Sequence, residues 1–229
     1  MISLVIPTYN EAENIYRLVT YLKQHAGPLI KEIIVSDAGS TDTTRQLAED
    51  AGAKTVISPQ KGRAVQMNYG ASVATGDILY FIHADTLPPP SFGSDISKAI
   101  VDGFNFGRYW TKFDSDKMIL KLNSFFTRFD LFVCYGGDQT LFMTRMLFES
   151  VHGFDSTMQI MEDYDIVVRA MAQGRYKILP KNVLVSARKY DTNTWWRVQR
   201  ANYTIVQMFK KGASQEAMVN RYKEMLVYR

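Results

Sequence analysis

The sequence contains one cysteine, Cys134, so no disulfide can form within the chain. We expect a reduced cytosolic setting and a buried, inert thiol among Phe132, Val133 and Tyr135. No run reaches the roughly 18–20 apolar residues that a membrane-spanning helix needs. The chain opens on a strand pattern, Ile2 to Ile6, and not on the pattern of a signal peptide. Together these absences predict a cytoplasmic protein.

Internal repeats, low-complexity segments and long linkers are also lacking, which predicts one domain over residues 1–229. The hydrophobic fraction of 46% is enough for a sizeable core. The net charge of +4 is too small to indicate a nucleic-acid partner. It fits an anionic ligand or an anionic membrane surface, and ordinary surface charge explains it equally well.

Strand and helix patterns alternate through the first hundred residues, which predicts a parallel sheet with helical crossovers. Asn10 is the predicted N-cap of the first helix. The predicted strands are Ile2–Ile6, Glu32–Ser36, Lys54–Ile57 and Ile78–Ile82, and the predicted helices are Glu11–His25, Asp42–Ala51 and Ala64–Ala74.

The second half has a different pattern, with longer aromatic stretches and a basic amphipathic tail. Its predicted strands are Phe104–Phe113, Gln139–Met143, Tyr176–Leu179 and Val183–Ala187; its predicted helices are Asp114–Asp130, Tyr164–Gln173 and two in the tail from Thr194, separated at Gly212.

Polar side chains follow the predicted parallel strands, where ligands gather in sheets of this kind. Asp37 follows the second strand and can accept hydrogen bonds from a nucleobase or ribose, whereas Asp42 fits a helix cap better. His83 and Asp85 follow the fourth strand and could hold a divalent cation against a diphosphate. Alone, such a triplet is a weak signal, and its position after a strand strengthens it.

Three further groups of charged residues lie near predicted helix starts or turns. Lys61 and Arg63 precede a helix and could bind an anion, or form a solvated surface pair. Glu162 and Asp163 open another helix, where acids are favoured by the helix dipole and where one carboxylate could act as a base. Asp138 follows two glycines and could shape an acceptor pocket.

The order of these motifs resembles the family 2 glycosyltransferases, the inverting enzymes of the GT-A fold. The resemblance covers about residues 2 to 170 and rests on the ordered segments Val5–Glu11, Asp37–Asp42, Lys61–Gly70, Gly76–Asp85, Gly153–Asp155 and Glu162–Asp165. It implies a GT-A (Rossmann-like) α/β fold: a mixed, mainly parallel sheet flanked by helices, with a helical C-terminal tail. Residues 1–100 would be the nucleotide-binding half, 101–190 the acceptor-side half and 191–229 the C-terminal helices.

The resemblance also implies residue roles. The partner would be a nucleoside-diphosphate sugar, most simply UDP-linked, and the cofactor Mn²⁺ or Mg²⁺. The resemblance implies metal ligation by Asp85 and His83, and base catalysis by Asp163 with Glu162 in support. It places Asp138 and Arg188 on the acceptor or phosphate side. The residues implied to contact the nucleotide are Pro7, Tyr9, Glu11, Asp37, Arg63 and Ala84. His83 stands where the family usually has a first carboxylate.

The acceptor remains open, because the QxxRW element of processive members is not present in that form. The basic tail from Thr194 to Lys211 fits packing on the core, a homodimer contact, or a membrane interface that would suit a lipid-linked acceptor. Phe125, Phe126, Phe129 and Phe132 fit either a core or an acceptor groove. Two other functions stay open: a catalytically weak nucleotide-sugar-binding protein with a regulatory role, and, less well supported, a sugar-nucleotide pyrophosphorylase.

Overall fold

The computed structural model describes residues 1–132, 135 and 140–227. Four residues that figure in the sequence predictions lie outside the described residues: Cys134, Gly136, Gly137 and Asp138.

Eight strands form one sheet in the order β3-β2-β1-β4-β7-β6-β8-β5, counted over the described residues. Strands from both halves of the chain therefore share this sheet. The strands are β1 Ile2–Thr8, β2 Ile30–Asp37, β3 Lys54–Ile57, β4 Ile78–Phe81, β5 Thr86–Leu87, β6 Phe106–Phe113, β7 Leu141–Thr144 and β8 Tyr176–Val185. The pairs β1–β2, β1–β4, β2–β3 and β6–β8 are parallel and the other three are antiparallel, which confirms the mixed, mainly parallel sheet.

Helices cover both faces of the sheet. They are α1 Ala12–Gln24, α2 Thr44–Asp50, α3 Arg63–Val73, α4 Phe92–Val101, α5 Met118–Phe126, α6 Arg145–Ser150, α7 Glu162–Met171, α8 Lys189–Thr192, α9 Trp195–Lys210 and α10 Gln215–Met225.

The central strands are apolar on both sides because each face is covered by helices. Ile2, Leu4 and Ile6 of β1 belong to a core shared with α1, whereas Val5 belongs to a second core shared with α3. Helix α3 approaches β1 closely at Gly70, where a Cβ would lie 2.4 Å from Val5 Cγ1. Because only glycine fits at that contact, it sets the position of α3 and of Arg63 at its start.

Several predicted bounds in the second half are wrong. The helix predicted over 114–130 is confined to α5, because Arg108 donates hydrogen bonds to the carbonyls of Thr127 and Phe129 and so holds the chain after the helix. The two strands predicted over 176–187 are one strand, β8. Its register against β6 shifts after Leu179, and this irregularity accommodates Pro180, which has no N–H to donate.

The sequence reading missed α4, α6, α8 and the two-residue β5, which lie in short or weakly periodic segments. The predicted N-cap of α1 is also wrong. Glu11 takes that position, and Asn10 adopts a left-handed conformation with φ of 54°.

The two predicted tail helices are present as α9 and α10. Val198 and Ala201 of α9 join the main core, while Ile205 and Val206 form a smaller cluster with Met218 of α10. The apolar face of α9 therefore packs against this chain. In the part of the chain described, no helix combines the length and hydropathy needed to cross a membrane.

Candidate functional site

The site lies at the carboxyl ends of β1, β2 and β4. The chain adds β2 and β3 on one side of β1 and then places β4 on the other side. The loops after β1 and β4 therefore diverge from adjacent strands, and such a switch point leaves a crevice at the sheet edge. Residues 8–12, 37–43 and 82–85 lie at this edge.

The turn after β2 is organised by the carboxylate of Asp37, which is completely buried. Its Oδ1 accepts hydrogen bonds from the backbone N–H groups of Gly39 and Ser40, at 2.9 and 2.8 Å. Its Oδ2 accepts from the hydroxyls of Thr8 and Ser40, at 3.0 and 2.5 Å. Asp37 thus fixes the turn and ties β2 to the end of β1. Its nucleotide contact remains a prediction.

The turns after β1 and β2 are hydrogen-bonded to each other. The backbone N–H of Asn10 donates to the Ser40 hydroxyl at 2.8 Å, and Asn10 Oδ1 accepts from Thr41 N at 2.9 Å. Asp42 accepts from the backbone N–H groups of Thr44 and Ala12, at 3.0 and 3.3 Å. The Asp42 carboxylate therefore accepts hydrogen bonds at the starts of α1 and α2, in agreement with the helix-start role that the sequence favoured.

Gln66 is a site residue that the sequence reading missed. Its buried Nε2 donates to the carbonyls of Thr8 and Ser36, at 2.7 and 2.9 Å, and so holds the ends of β1 and β2. A polar residue beside Met67 on the buried face of a helix was the signal that could have identified it.

Two predicted nucleotide contacts belong to the end of β1. Pro7 is a buried strand residue opposite Ser36, whereas Tyr9 is half-exposed. Lys61 Nζ lies 3.0 Å from the Tyr9 hydroxyl and 4.3 Å from the centre of its ring. An exposed aromatic face with a cation beside it is therefore available at the mouth of the crevice.

Arg188 joins the loops after β1 and β4. Its Nη2 lies 2.7 Å from Glu11 Oε1 and its Nη1 lies 3.2 Å from Oε2, a bidentate pair, while Nη2 is 3.3 Å from Asp85 Oδ2. The hydrogen bonds that Arg188 donates to Glu11 raise the pKa of Arg188; burial opposes this shift, and the charge of Asp85 adds to it. Three predicted ligand-binding residues are thus brought together.

The segment after β4 offers few ligands for a metal ion. Ala84 is buried, and Asp85 borders a cavity of about 100 Å³ together with Asn14 and Ser186. Among residues 1–132, 135 and 140–227 no group of three or more metal-ligating side chains occurs. One carboxylate and His83 nevertheless suffice for Mg²⁺ or Mn²⁺ if phosphate oxygens complete the coordination. The donor set fits a cation shared with a nucleotide.

A second ion pair lies at the start of α7. Arg63 Nη2 is 2.7 Å from Oε1 of Glu162, whose side chain is 1% exposed. Beyond Arg63 and its own backbone N–H, the Glu162 carboxylate receives no further hydrogen bond from the described residues. Burial, and to a smaller extent the charge of Asp163, raise the pKa of Glu162 to about 7 against the opposing charge of Arg63.

The loop after β1 contacts two other segments of the chain. Glu11 contacts Arg188, and Tyr9 contacts Lys61, two residues before Arg63. Asp163 follows Glu162 directly at the first turn of α7, and its role as a base remains a prediction.

Three of the four phenylalanines predicted to lie in a core or an acceptor groove are not core, whereas Phe132 is partly buried and packs against the small cluster of Ile205, Val206 and Met218. Phe125, Phe126 and Phe129 are each nearly half exposed, and their rings contact one another edge-to-face. Met118 and Leu122 of α5 are also exposed, so this helix presents an apolar surface to solvent.

Comparison with protein families gives one match, over residues 3–162, to the family described as Glycosyl transferase family 2. Among curated relatives, glucosyl-3-phosphoglycerate synthase of Mycolicibacterium smegmatis is 36% identical over 96 residues. That alignment covers 38% of this chain and 32% of the relative, so the matched segment spans about a third of the relative's length.

Solved structures share the fold at low sequence identity. Glucosyl-3-phosphoglycerate synthase of Mycobacterium tuberculosis, in complex with Mn²⁺, UDP-glucose and phosphoglyceric acid, is 18% identical with a TM-score of 0.69, covering 93% of this chain and 80% of that one. Staphylococcus aureus TarS residues 1–349, in complex with UDP, is 17% identical with a TM-score of 0.69, covering 98% and 70%. The predicted GT-A-type fold is thereby confirmed.

Proposed function

Because the chain belongs to glycosyl transferase family 2, we propose that it transfers a sugar from a nucleoside diphosphate, with uridine as the nucleoside, to an acceptor hydroxyl. The observation that carries the proposal is the charge arrangement at the switch point. Arg188 and Arg63 each face carboxylates at the edge where a diphosphate would lie. Uridine is favoured because solved structures of this fold carry UDP or UDP-glucose.

In this proposal the nucleoside lies against the loops after β1 and β2. Tyr9 offers an exposed ring, and Pro7 and Ala84 form the floor on either side of the switch point. Asp37 holds the turn and could accept a hydrogen bond from the base or ribose only if one of its four protein donors gives way. Arg63 would contact the base or the phosphates.

Asp85 and His83 would hold Mn²⁺ or Mg²⁺. The bound cation would supply charge neutralisation for the departing diphosphate. The residues of this chain complement that role, because Arg188 carries a second positive charge beside Asp85. Glu11 orients Arg188 through its bidentate contact.

Asp163 is the proposed base. It lies in the first turn of α7, beside the buried Glu162, which holds Arg63. Asp163 would accept the proton of the acceptor hydroxyl while that oxygen bonds to the anomeric carbon. The bond from the anomeric carbon to the diphosphate oxygen breaks in the same step, the diphosphate leaves with the electron pair, and the configuration inverts.

The acceptor is proposed as a molecule with an apolar part, such as a lipid-linked acceptor. The exposed phenylalanines and Met118 of α5 support an apolar contact, and Trp196 at the start of α9 is 76% exposed beside Arg197. Such an acceptor would bring the chain to the inner face of a membrane. Arg188 would face the acceptor or the phosphates.

Turnover tests the proposal most simply. The purified chain is incubated with UDP-glucose and other nucleotide sugars in Mn²⁺, and UDP release is measured with and without candidate acceptors. Asp163→Asn should lower UDP release about 10²- to 10⁴-fold, the usual contribution of a general base, while UDP binding remains within a few-fold of wild type. Undiminished turnover by the variant would remove Asp163 as the base.

The competing function, a binding protein without catalysis, gives a different outcome in the same assay. Nucleotide-sugar binding without UDP release by the wild-type chain, across all donors and acceptors tried, would favour it. His83 in the place of an acid is the feature that supports this alternative.

A further inference from the structure

Arg188 lies where positive charge is needed in the ligand-free site. Its guanidinium contacts both oxygens of Glu11 and reaches Asp85 Oδ2 at 3.3 Å. These carboxylates come from the segments that follow two different strands, β1 and β4, and their side chains are only 18% and 22% exposed. Two poorly solvated like charges at one edge destabilise each other, and a shared guanidinium offsets that repulsion.

Arg188 is also able to move. Its side chain is 51% exposed, and it precedes α8, a helix of only four residues. Its backbone N–H donates to the Ser186 hydroxyl at 3.3 Å, so the main chain is held while the long side chain projects from it. Rotation about its side-chain bonds would release Asp85 without disturbing the core.

We propose that Arg188 is the resident cation of the ligand-free site and exchanges Asp85 for a donor phosphate when nucleotide and divalent metal enter together. This inference rests on the proposed function, because it concerns the same diphosphate site. Arg188 then has two opposite effects. It lowers the affinity for a divalent cation alone, and it raises the affinity for the cation and nucleotide together.

The reason for the first effect is direct competition. A divalent cation at Asp85 would meet a guanidinium that already occupies the carboxylate, so binding must first displace it. With a diphosphate present, the displaced guanidinium gains a new anionic partner. Metal and nucleotide therefore help each other to bind, and such coupling is reciprocal.

The test is Mn²⁺ binding in the absence of nucleotide, measured from the electron paramagnetic resonance signal of free Mn²⁺. Arg188→Gln should bind Mn²⁺ about tenfold more tightly than wild type, within the usual range of coupling between sites. Arg188→Lys keeps the positive charge and should remain close to wild type. Affinity of the Gln variant that is unchanged, weaker or undetectable would overturn the proposal.

Arg221→Gln is the matched control. Arg221 pairs with Glu224 on α10 at 3.0 Å, and its side chain is about as exposed as that of Arg188. Its replacement by Gln removes the same formal charge away from Asp85. Its Mn²⁺ affinity should equal that of wild type. An equal gain in both Gln variants would show a general charge effect and would also overturn the proposal.

The second measurement follows UDP affinity with and without Mn²⁺ by calorimetry. Mn²⁺ should strengthen UDP binding by a larger factor in wild type than in Arg188→Gln, and equal factors would contradict the exchange. Failure of the proposed transferase function is distinguishable, because it would appear as absent UDP release while the Mn²⁺ measurement without nucleotide stays interpretable.

Discussion

Two buried carboxylates at the same edge of the sheet have opposite surroundings. Asp37, the last residue of β2, receives four hydrogen bonds from the protein. Glu162, at the start of α7, has a close ion pair with Arg63 and, beyond Arg63 and its own backbone N–H, no further hydrogen bond from the described residues. Their exposures are 0% and 1%, so burial alone does not distinguish them.

This difference indicates that the two carboxylates have different roles. A carboxylate with all its acceptor positions filled holds a loop in one conformation. Burial raises the pKa of Glu162 to about 7 despite the charge of Arg63, so this carboxylate can change its protonation state near neutrality. The site edge therefore contains one carboxylate that fixes a turn, Asp37 of β2, and one that can titrate near neutral pH, Glu162 of α7.

The largest expected effect comes from removing the Asp37 carboxylate, which holds the turn after β2. Asp37→Ala leaves the buried hydroxyl of Thr8 and the partly buried donors of Ser40 without an acceptor, and it removes the bonds that form the turn. We expect a loss of about 3–5 kcal/mol in the free energy of unfolding, measured by urea denaturation. Asp42→Ala, in the same turn but exposed, is the control and should cost about 1 kcal/mol. Equal losses would remove the distinction drawn for Asp37.

A smaller effect is expected from Glu162, in the pH dependence of the free energy of unfolding. The pKa of Glu162 is about 7 in the folded chain against 4.5 as its ordinary value. Because the folded state holds this proton more tightly, its contribution to stability is present below pH 4.5 and is lost as the pH rises through 7. Relative to Glu162→Gln, wild type should lose up to about 3 kcal/mol between pH 4.5 and 8, measured by urea denaturation at each pH.

The control for Glu162 is Glu149→Gln. Glu149 is an exposed acid paired with Arg145 at 4.0 Å, so its pH curve should run parallel to that of wild type. A Glu162→Gln curve that also runs parallel to wild type would show that the buried carboxylate does not titrate in this range.

Much of the fold could be predicted because the local signals were strong. The strand predicted over Lys54–Ile57 has the observed bounds, and β1, β2 and β4 were found from apolar runs that are buried on both faces. The helix predicted to Asp130 was too long because aromatic residues continue past its end. The contacts of Arg108 that hold the following segment join residues distant in sequence.

The same limit applies to the site. Motif order predicts site roles for Glu11, Asp85 and Glu162, but the side chains that they pair with could not be inferred from the sequence. Arg188 and Glu11 are separated by 177 residues, and nothing local to either residue indicates that they meet. The pairing of Arg63 with Glu162 likewise depends on how α3 and α7 pack.

The central claim is that the edge at Asp85 binds a nucleoside diphosphate together with a divalent cation. Calorimetric titration of UDP into wild type and Asp85→Ala, each with Mn²⁺ and with chelator, tests it most directly. We predict at least tenfold tighter UDP binding by wild type in Mn²⁺ than in chelator, a coupling of ordinary size, and no such gain in the variant. Equal UDP affinity under all four conditions would contradict the claim.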